Sequence, residues 1–187
     1  MTAWIIGIDA GQHDRAELEH LLARAVEVCG PAELVCTNMI DGHWAGSLEL
    51  NGPARRAQLL SEQLGAAVTV RSAGGSSTAG PEQWAAGSAT AAKELSTRSA
   101  GRAVVFPGQE KLLGEVDTDA VPTLCAIAAV VGVAGTPTAG TRLVTREFVR
   151  PVLQDGKLVL QVRPFGAEGA VAPFEVPNPT PCCAAHG

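Results

Sequence analysis

The sequence has few aromatic residues and no concentrated positive charge. Tyrosine is absent, and three Trp and four Phe make up the 4% aromatic content of the 187 residues. Few aromatic side chains are therefore available to stack on nucleic-acid bases. The fourteen Lys and Arg are scattered and the formal net charge is -5, so no basic stripe exists to neutralise nucleic-acid phosphates. We expect no nucleic-acid partner.

Long apolar runs and a secretion signal are also missing. The longest strongly apolar run, residues 124–134, is roughly half of the ~20 residues that cross a bilayer. The segment Met1-Thr2-Ala3-Trp4 has no basic region followed by an apolar region and a cleavage site. Five cysteines, three of them isolated in apolar or helical stretches, form no disulfide framework. We therefore predict a cytoplasmic protein with no membrane span.

The remaining composition is that of an ordinary globular protein. Hydrophobic residues make up 46% of the chain and charged residues 18%, far from the polar composition of disordered chains. A chain of this length buries one core. We therefore predict one α/β domain over residues 1–172, followed by a proline-rich tail over residues 173–187.

Apolar periodicity predicts strands that alternate with helices. The predicted strands cover 4–8, 33–37, 66–71 and 102–106, and the predicted helices cover 14–29, 53–64, 81–99 and 122–133. Such alternation implies a parallel sheet with helices on both faces. After it, a β-like stretch and a turn at Asp155-Gly156 predict a terminal hairpin. The predicted fold is a three-layer α/β/α arrangement with a mainly parallel sheet and a C-terminal β-hairpin.

Two short Arg-Pro motifs lie in the C-terminal third, Phe-Val-Arg-Pro at 148–151 and Val-Arg-Pro-Phe at 162–165. This region resembles the close of the N-terminal domain of the electron transfer flavoprotein α subunit. The segments 103–108 and 121–133 are loosely similar to that family's late core strand and its Pro-initiated apolar helix. The resemblance covers about residues 3–172, and the flavin-binding domain of the family is missing after it.

The resemblance implies a non-catalytic module that docks on a flavin-bearing or metal-bearing partner within a redox complex. FAD or AMP would then bind only together with a partner subunit, and no flavin-contacting residue carries over to a position in this sequence. The expected partner is another protein or a second copy of the chain. Arg150 and Arg163 each precede a proline at a strand end. They can project as paired cations toward an acidic partner or an anionic ligand, or they can be ordinary solvated arginines.

A second hypothesis is a metal-binding protein or small metalloenzyme. The tail ends in Cys182-Cys183-Ala-Ala-His186-Gly. Thiolates and imidazole suit transition metals such as zinc, copper or iron. Because a full site needs a fourth ligand, Cys36, Met39 or His43 would supply it by lying beside the tail. The competing interpretation is a tail whose thiols are incidental.

A third hypothesis is a nucleotide-binding module built on small-residue loops. Asp9 and Gly11 follow the first predicted strand, and Gly74, Gly75 and Ser76 follow the third. Ligands of parallel α/β folds bind outside the carboxyl ends of strands, where small residues let backbone N–H groups approach a phosphate. Neither segment has the spacing of a dinucleotide or P-loop fingerprint, so ordinary turns are the alternative.

Overall fold

The computed structural model describes residues 3–133, 135–166 and 169–177. These residues group into two compact units. The described residues up to Pro107, together with Val152–Leu158, make up the first unit. Gly108–Pro151 and the described residues from Val159 onward make up the second.

The described part of the chain contains 12 strands and four α-helices. The strands are β1 (Trp4–Gln12), β2 (Ala32–Ile40), β3 (His43–Leu50), β4 (Ala67–Ser72), β5 (Gly75–Ala79), β6 (Arg102–Val105), β7 (Glu115–Asp117), β8 (Ile127–Gly132), β9 (Arg142–Val144), β10 (Val152–Gln154), β11 (Lys157–Phe165) and β12 (Ala170–Pro173). The helices are α1 (Arg15–Cys29), α2 (Ala57–Leu64), α3 (Glu82–Thr97) and α4 (Val121–Leu124). A 3-10 turn covers Gln109–Lys111.

The sheet of the first unit is antiparallel. Its strands follow the order β5-β4-β1-β3-β2-β6-β10. The pairings of β1 with β3 and β4, of β2 with β3 and β6, of β4 with β5, and of β6 with β10 all run antiparallel. The predicted three-layer α/β/α fold with a mainly parallel sheet is therefore wrong, and the protein is a mixed α/β protein dominated by antiparallel strands.

Two hairpins explain this difference. Asp41 and Gly42, with φ of 49° and 84°, form a tight turn between β2 and β3. A second tight turn at Ala73-Gly74 joins β4 to β5. Each hairpin adds a strand where the sequence analysis predicted a loop or nothing. Because a hairpin reverses the direction of the chain, the strands pair antiparallel instead of through βα crossovers.

Helices pack on both faces of this sheet. Asp14 caps α1 by accepting the N–H of Ala16, and Gly30, with φ of 94°, ends it, so the α1 prediction is confirmed. Leucines of α1 and α2 pack on Ile6, Ile8 and the alternate positions of neighbouring strands to form the main apolar cluster. Helix α3 contacts the opposite face, where Ala91 packs with Ile40 and Ala45.

Most of the regular secondary structure of the second unit is strand. It has the order β11-β12-β9-β7, with β8 also paired to β11. The β9–β12 pair is parallel, whereas β7–β9 and β11–β12 are antiparallel. The predicted helix over 122–133 is wrong because only Val121–Leu124 is helical, and Ile127–Gly132 forms β8. The β-branched Ile127, Val130 and Val131 favour the strand.

In the part of the chain that the structure describes, no helix has the length and apolar character that a membrane crossing requires.

Candidate acid–base site

Strand alternation turns Asp9 toward α3, and a bulge in β1 follows it directly. The β1–β3 pairing runs without a break to Ile8 opposite Gly46 and resumes at Gln12 opposite Trp44. The extra residues of β1 between these pairs include Asp9 and Gly11, and Gly11 has a φ of 67°. Bulges of this kind redirect a side chain and are common beside functional sites. Here the bulge places the Gly11 N–H against Asp9, whose carboxylate is fully buried.

Both carboxylate oxygens of Asp9 are engaged. Oδ2 lies 2.8 Å from Nε2 of His43, and Oδ1 accepts the N–H of Gly11 at 2.8 Å. With the Asp9 carboxylate as the acceptor, the donor in this contact is Nε2–H of His43. The pair therefore fixes the orientation of the imidazole ring and leaves Nδ1 facing away from Asp9.

His43 is the first residue of β3, directly after the Asp41-Gly42 turn. Its side chain is 10% exposed. Among the described residues, no hydrogen bond reaches Nδ1, and Nδ1 is not one of the buried polar atoms that lack a partner. Nδ1 is therefore not fully buried, and it is the ring nitrogen available to a ligand.

An aromatic ring and two glycines shape the surroundings of the pair. The Trp84 ring, in the first turn of α3, lies 5.0 Å from the His43 ring at an interplanar angle of 58°. A Cβ on Gly87 would lie 1.7 Å from Oδ2 of Asp9, and a Cβ on Gly11 would lie 2.2 Å from the Trp84 ring. Neither position has room for a side chain, so both glycines are needed for this arrangement.

Buried hydroxyls continue the polar layer beneath α3. Oγ1 of Thr69 lies 2.8 Å from the hydroxyl of Ser88 and 2.8 Å from that of Thr78. Further along α3, Asn38 donates to Glu94 at 2.7 Å. These partners satisfy polar groups that would otherwise be costly to bury.

The structure brings together three residues that the sequence analysis assigned to two different sites. Asp9 and Gly11 were predicted to bind a ligand beyond a strand end, and His43 to bind a metal. Asp9 and Gly11 instead lie within β1, and His43 contacts Asp9. Trp84 and Gly87 were not predicted as site residues. The indole of Trp84 is a signal in the sequence for a ligand-binding side chain, whereas Gly87 has no sequence signature of its own.

The metal hypothesis is not tested. Cys36 is fully buried, and burial raises the pKa of its thiol to about 12, so this thiol is neutral at physiological pH. Within residues 3–133, 135–166 and 169–177, no three His, Cys, Asp or Glu side chains form a group that could hold a metal ion. Cys182, Cys183 and His186 lie outside the described residues. Their role in metal binding stays a prediction.

The small-residue segment at 72–80 is a hairpin. Gly74 lies in its turn, where its N–H bonds the Ser72 hydroxyl, and Gly75 and Ser76 begin β5. Helix α3 starts later, at Glu82 after Pro81. Gly74, Gly75 and Ser76 therefore precede the helix N-terminus by several residues, and nucleotide binding there stays a prediction.

The two predicted cations lie in the second unit. Arg150 stacks on Phe148, with its guanidinium carbon 4.4 Å from the ring centroid, and donates to the carbonyl of Val149 at 3.1 Å. Arg163 lies within β11, opposite Ala172 of β12. Their role toward an acidic partner or an anionic ligand stays a prediction.

Comparisons of the chain with models of protein families, with curated proteins and with solved structures found no match. The resemblance to the electron transfer flavoprotein α subunit therefore stays a prediction. The mainly parallel sheet that the alternation of strands and helices predicted is absent from the described residues.

Proposed function

We propose that the first unit binds a small polar ligand and exchanges a proton with it at Nδ1 of His43. The 2.8 Å hydrogen bond between His43 and the fully buried Asp9 carries this proposal. It makes His43 the acid–base group and Asp9 the residue that positions it. A neutral imidazole with one fixed tautomer is a general base suited to neutral pH.

A gain in stability does not explain why the protein has the buried Asp9–His43 pair. Replacing a buried ion pair by well-packed apolar residues is often neutral or stabilising. In this protein, the Asp9–His43 pair is accommodated by two glycines, Gly11 and Gly87, and by the bulge in β1. The side chain of Asp9 is fully buried, and that of His43 keeps a small exposed fraction. A carboxylate buried behind a partly exposed histidine is the arrangement that orients an imidazole toward a ligand.

Hydrolysis of p-nitrophenyl acetate is a direct test. Nδ1 of His43 would take a proton from water as the water oxygen bonds to the carbonyl carbon and p-nitrophenolate leaves. We expect His43→Gln to lower the protein-dependent rate at least about ten-fold, since a positioned general base typically contributes about 10²–10⁴-fold. The matched control is His20→Gln, because His20 lies on α1 outside this pair and its loss should leave the rate unchanged. Equal rates for wild type and His43→Gln would refute the proposal.

A second readout separates positioning from folding. Asp9→Asn should shift the tautomer balance of the His43 ring, seen in its ring-nitrogen chemical shifts, and lower the same rate about as far as His43→Gln. Circular dichroism checks that the variant is folded. An unchanged tautomer balance in a folded Asp9→Asn protein would show that Asp9 does not orient the ring.

A further inference from the structure

The edge strand β5 has no charged residue and no proline. Its sequence is Gly75-Ser-Ser-Thr-Ala79, and residues 75–78 are exposed. It is the last strand in the order of the first unit, and no described strand pairs with its outer edge. Natural sheets usually protect such edges with charges, prolines or bulges. The edge strand β7 of the second unit follows that rule with Glu115 and Asp117.

The register of the β4–β5 hairpin shows which backbone groups face the open edge. Ser72 pairs with Gly75 across the two-residue turn, which makes this the hydrogen-bonded closing pair. Pairs then alternate, so Ser76 and Thr78 are the residues whose N–H and C=O groups point away from β4. The 2.8 Å contact between the hydroxyls of Thr69 and Thr78 agrees with a close, non-hydrogen-bonded pair.

These outward groups are self-complementary. Ser76 and Thr78 lie symmetrically on either side of Ser77. A second copy of β5 placed antiparallel, with a two-fold axis at Ser77, puts Ser76 of one copy opposite Thr78 of the other. About four backbone hydrogen bonds then form, and no like charges on β5 oppose each other.

The edge is also held in place before any association. Five residue pairs fix β5 on β4, and the hydroxyls of Thr69, Thr78 and Ser88 link this hairpin to α3. A preformed edge loses little conformational freedom on pairing. We propose that the protein forms a two-fold dimer in which β5 pairs antiparallel with β5 of a second copy.

Analytical ultracentrifugation from about 10 µM to about 1 mM tests the dimer, because interfaces below about 1,000 Å² are usually weak. We expect the average mass to rise toward that of a dimer. Ser76→Pro removes an outward donor and leaves the bonds to β4 intact, so it should raise the dissociation constant at least about ten-fold with little change in melting temperature. The matched control Ser76→Ala keeps the N–H group and should dimerise as the wild type does.

Amide hydrogen exchange identifies the interface. Protection of the Ser76 and Thr78 amides should rise with protein concentration, whereas the Ser77 amide, already bonded to β4, should stay constant. A monomer at every concentration would overturn the proposal. A dimer that Ser76→Pro leaves as tight as the wild type would overturn it too, because the interface would then lie elsewhere. Neither outcome depends on His43.

Discussion

The two faces of the sheet in the first unit are built from different chemistry. The face under α1 and α2 is a continuous apolar cluster that includes Ile6, Ile8 and Leu48. The face under α3 carries small and polar residues, among them Asp9 and Thr69, each of which has a hydrogen-bond partner. Alternation along each strand sends one set of side chains to each face.

The difference follows from how closely each helix approaches the sheet. A Cβ on Gly7 would lie 1.9 Å from the carbonyl oxygen of Ser88, so the backbone of α3 lies almost against β1. Only small side chains fit there, as Ala91 and Ala92 show. The face under α1 and α2 supplies the burial of apolar surface that stabilises the fold. The face under α3 holds the polar Asp9–His43 pair.

The largest effect is expected on the apolar face. Leu60 of α2 is fully buried in the apolar cluster. Leu60→Ala should lower the free energy of unfolding by about 3–4 kcal/mol, from lost burial and the cavity it leaves. Its neighbour Leu59 is 50% exposed, so Leu59→Ala should change stability by less than about 0.5 kcal/mol. Urea unfolding of both variants measures the contrast, and equal losses would contradict this description of the face.

The next largest effect is expected on the opposite face, from a change that disturbs the close packing of α3 on β1. Gly7→Ala should destabilise the protein by about 2–3 kcal/mol because the new methyl group meets the backbone of α3. The control is Gly52→Ala, where nothing lies within 4 Å of the added Cβ. Thermal unfolding should show a clear drop in melting temperature for Gly7→Ala alone. An unchanged Gly7→Ala protein would mean that α3 does not press on β1.

The polar pair should show energetic coupling. Removing one partner of a buried pair leaves the other without compensation, so Asp9→Asn should lower the free energy of unfolding by about 2 kcal/mol. In a His43→Gln background the same change should have an effect smaller by at least about 1 kcal/mol. A double-mutant cycle from urea unfolding gives this coupling. Additive losses would indicate that the two side chains do not interact.

A pH effect is expected from Cys36, which also lies on the α3 side of β2. Burial raises the pKa of its thiol from 9.0 to about 12. The resulting stabilisation is complete below about pH 9, the pKa of the unfolded thiol, and is lost as the pH rises toward 12. We expect the wild type to lose about 1–2 kcal/mol more stability than Cys36→Ala between pH 8 and pH 10.5. Equal pH dependence would show that Cys36 ionises freely.

Local signals predicted single elements well. The Asp14 cap, the spacing of apolar residues and Gly30 gave both ends of α1, because capping and periodicity act within a few residues. Asp41-Gly42 is also a strong hairpin signal, and reading it as a turn would have predicted β3. By contrast, β5 lacks alternating apolar residues, so its sequence favours a loop as much as a strand.

The candidate site was only partly predictable. Asp9, Gly11 and His43 were singled out, but their contact was not. Asp9 and His43 are 34 positions apart, and they meet because β1 pairs with β3 and bulges just before the pairing ends. Register and bulges depend on pairing between distant segments, which periodicity within one segment does not report.

The sequence by itself determined where α1 starts and stops, which strand positions are apolar, and that no aromatic platform or basic stripe exists. Those properties depend on local propensity and composition. Only the tertiary structure decided that the strands of the first unit run antiparallel, that α3 lies against Gly7, and that a buried carboxylate orients His43. These three features depend on pairing between distant segments, and a hairpin such as β2–β3 reverses the direction of the chain.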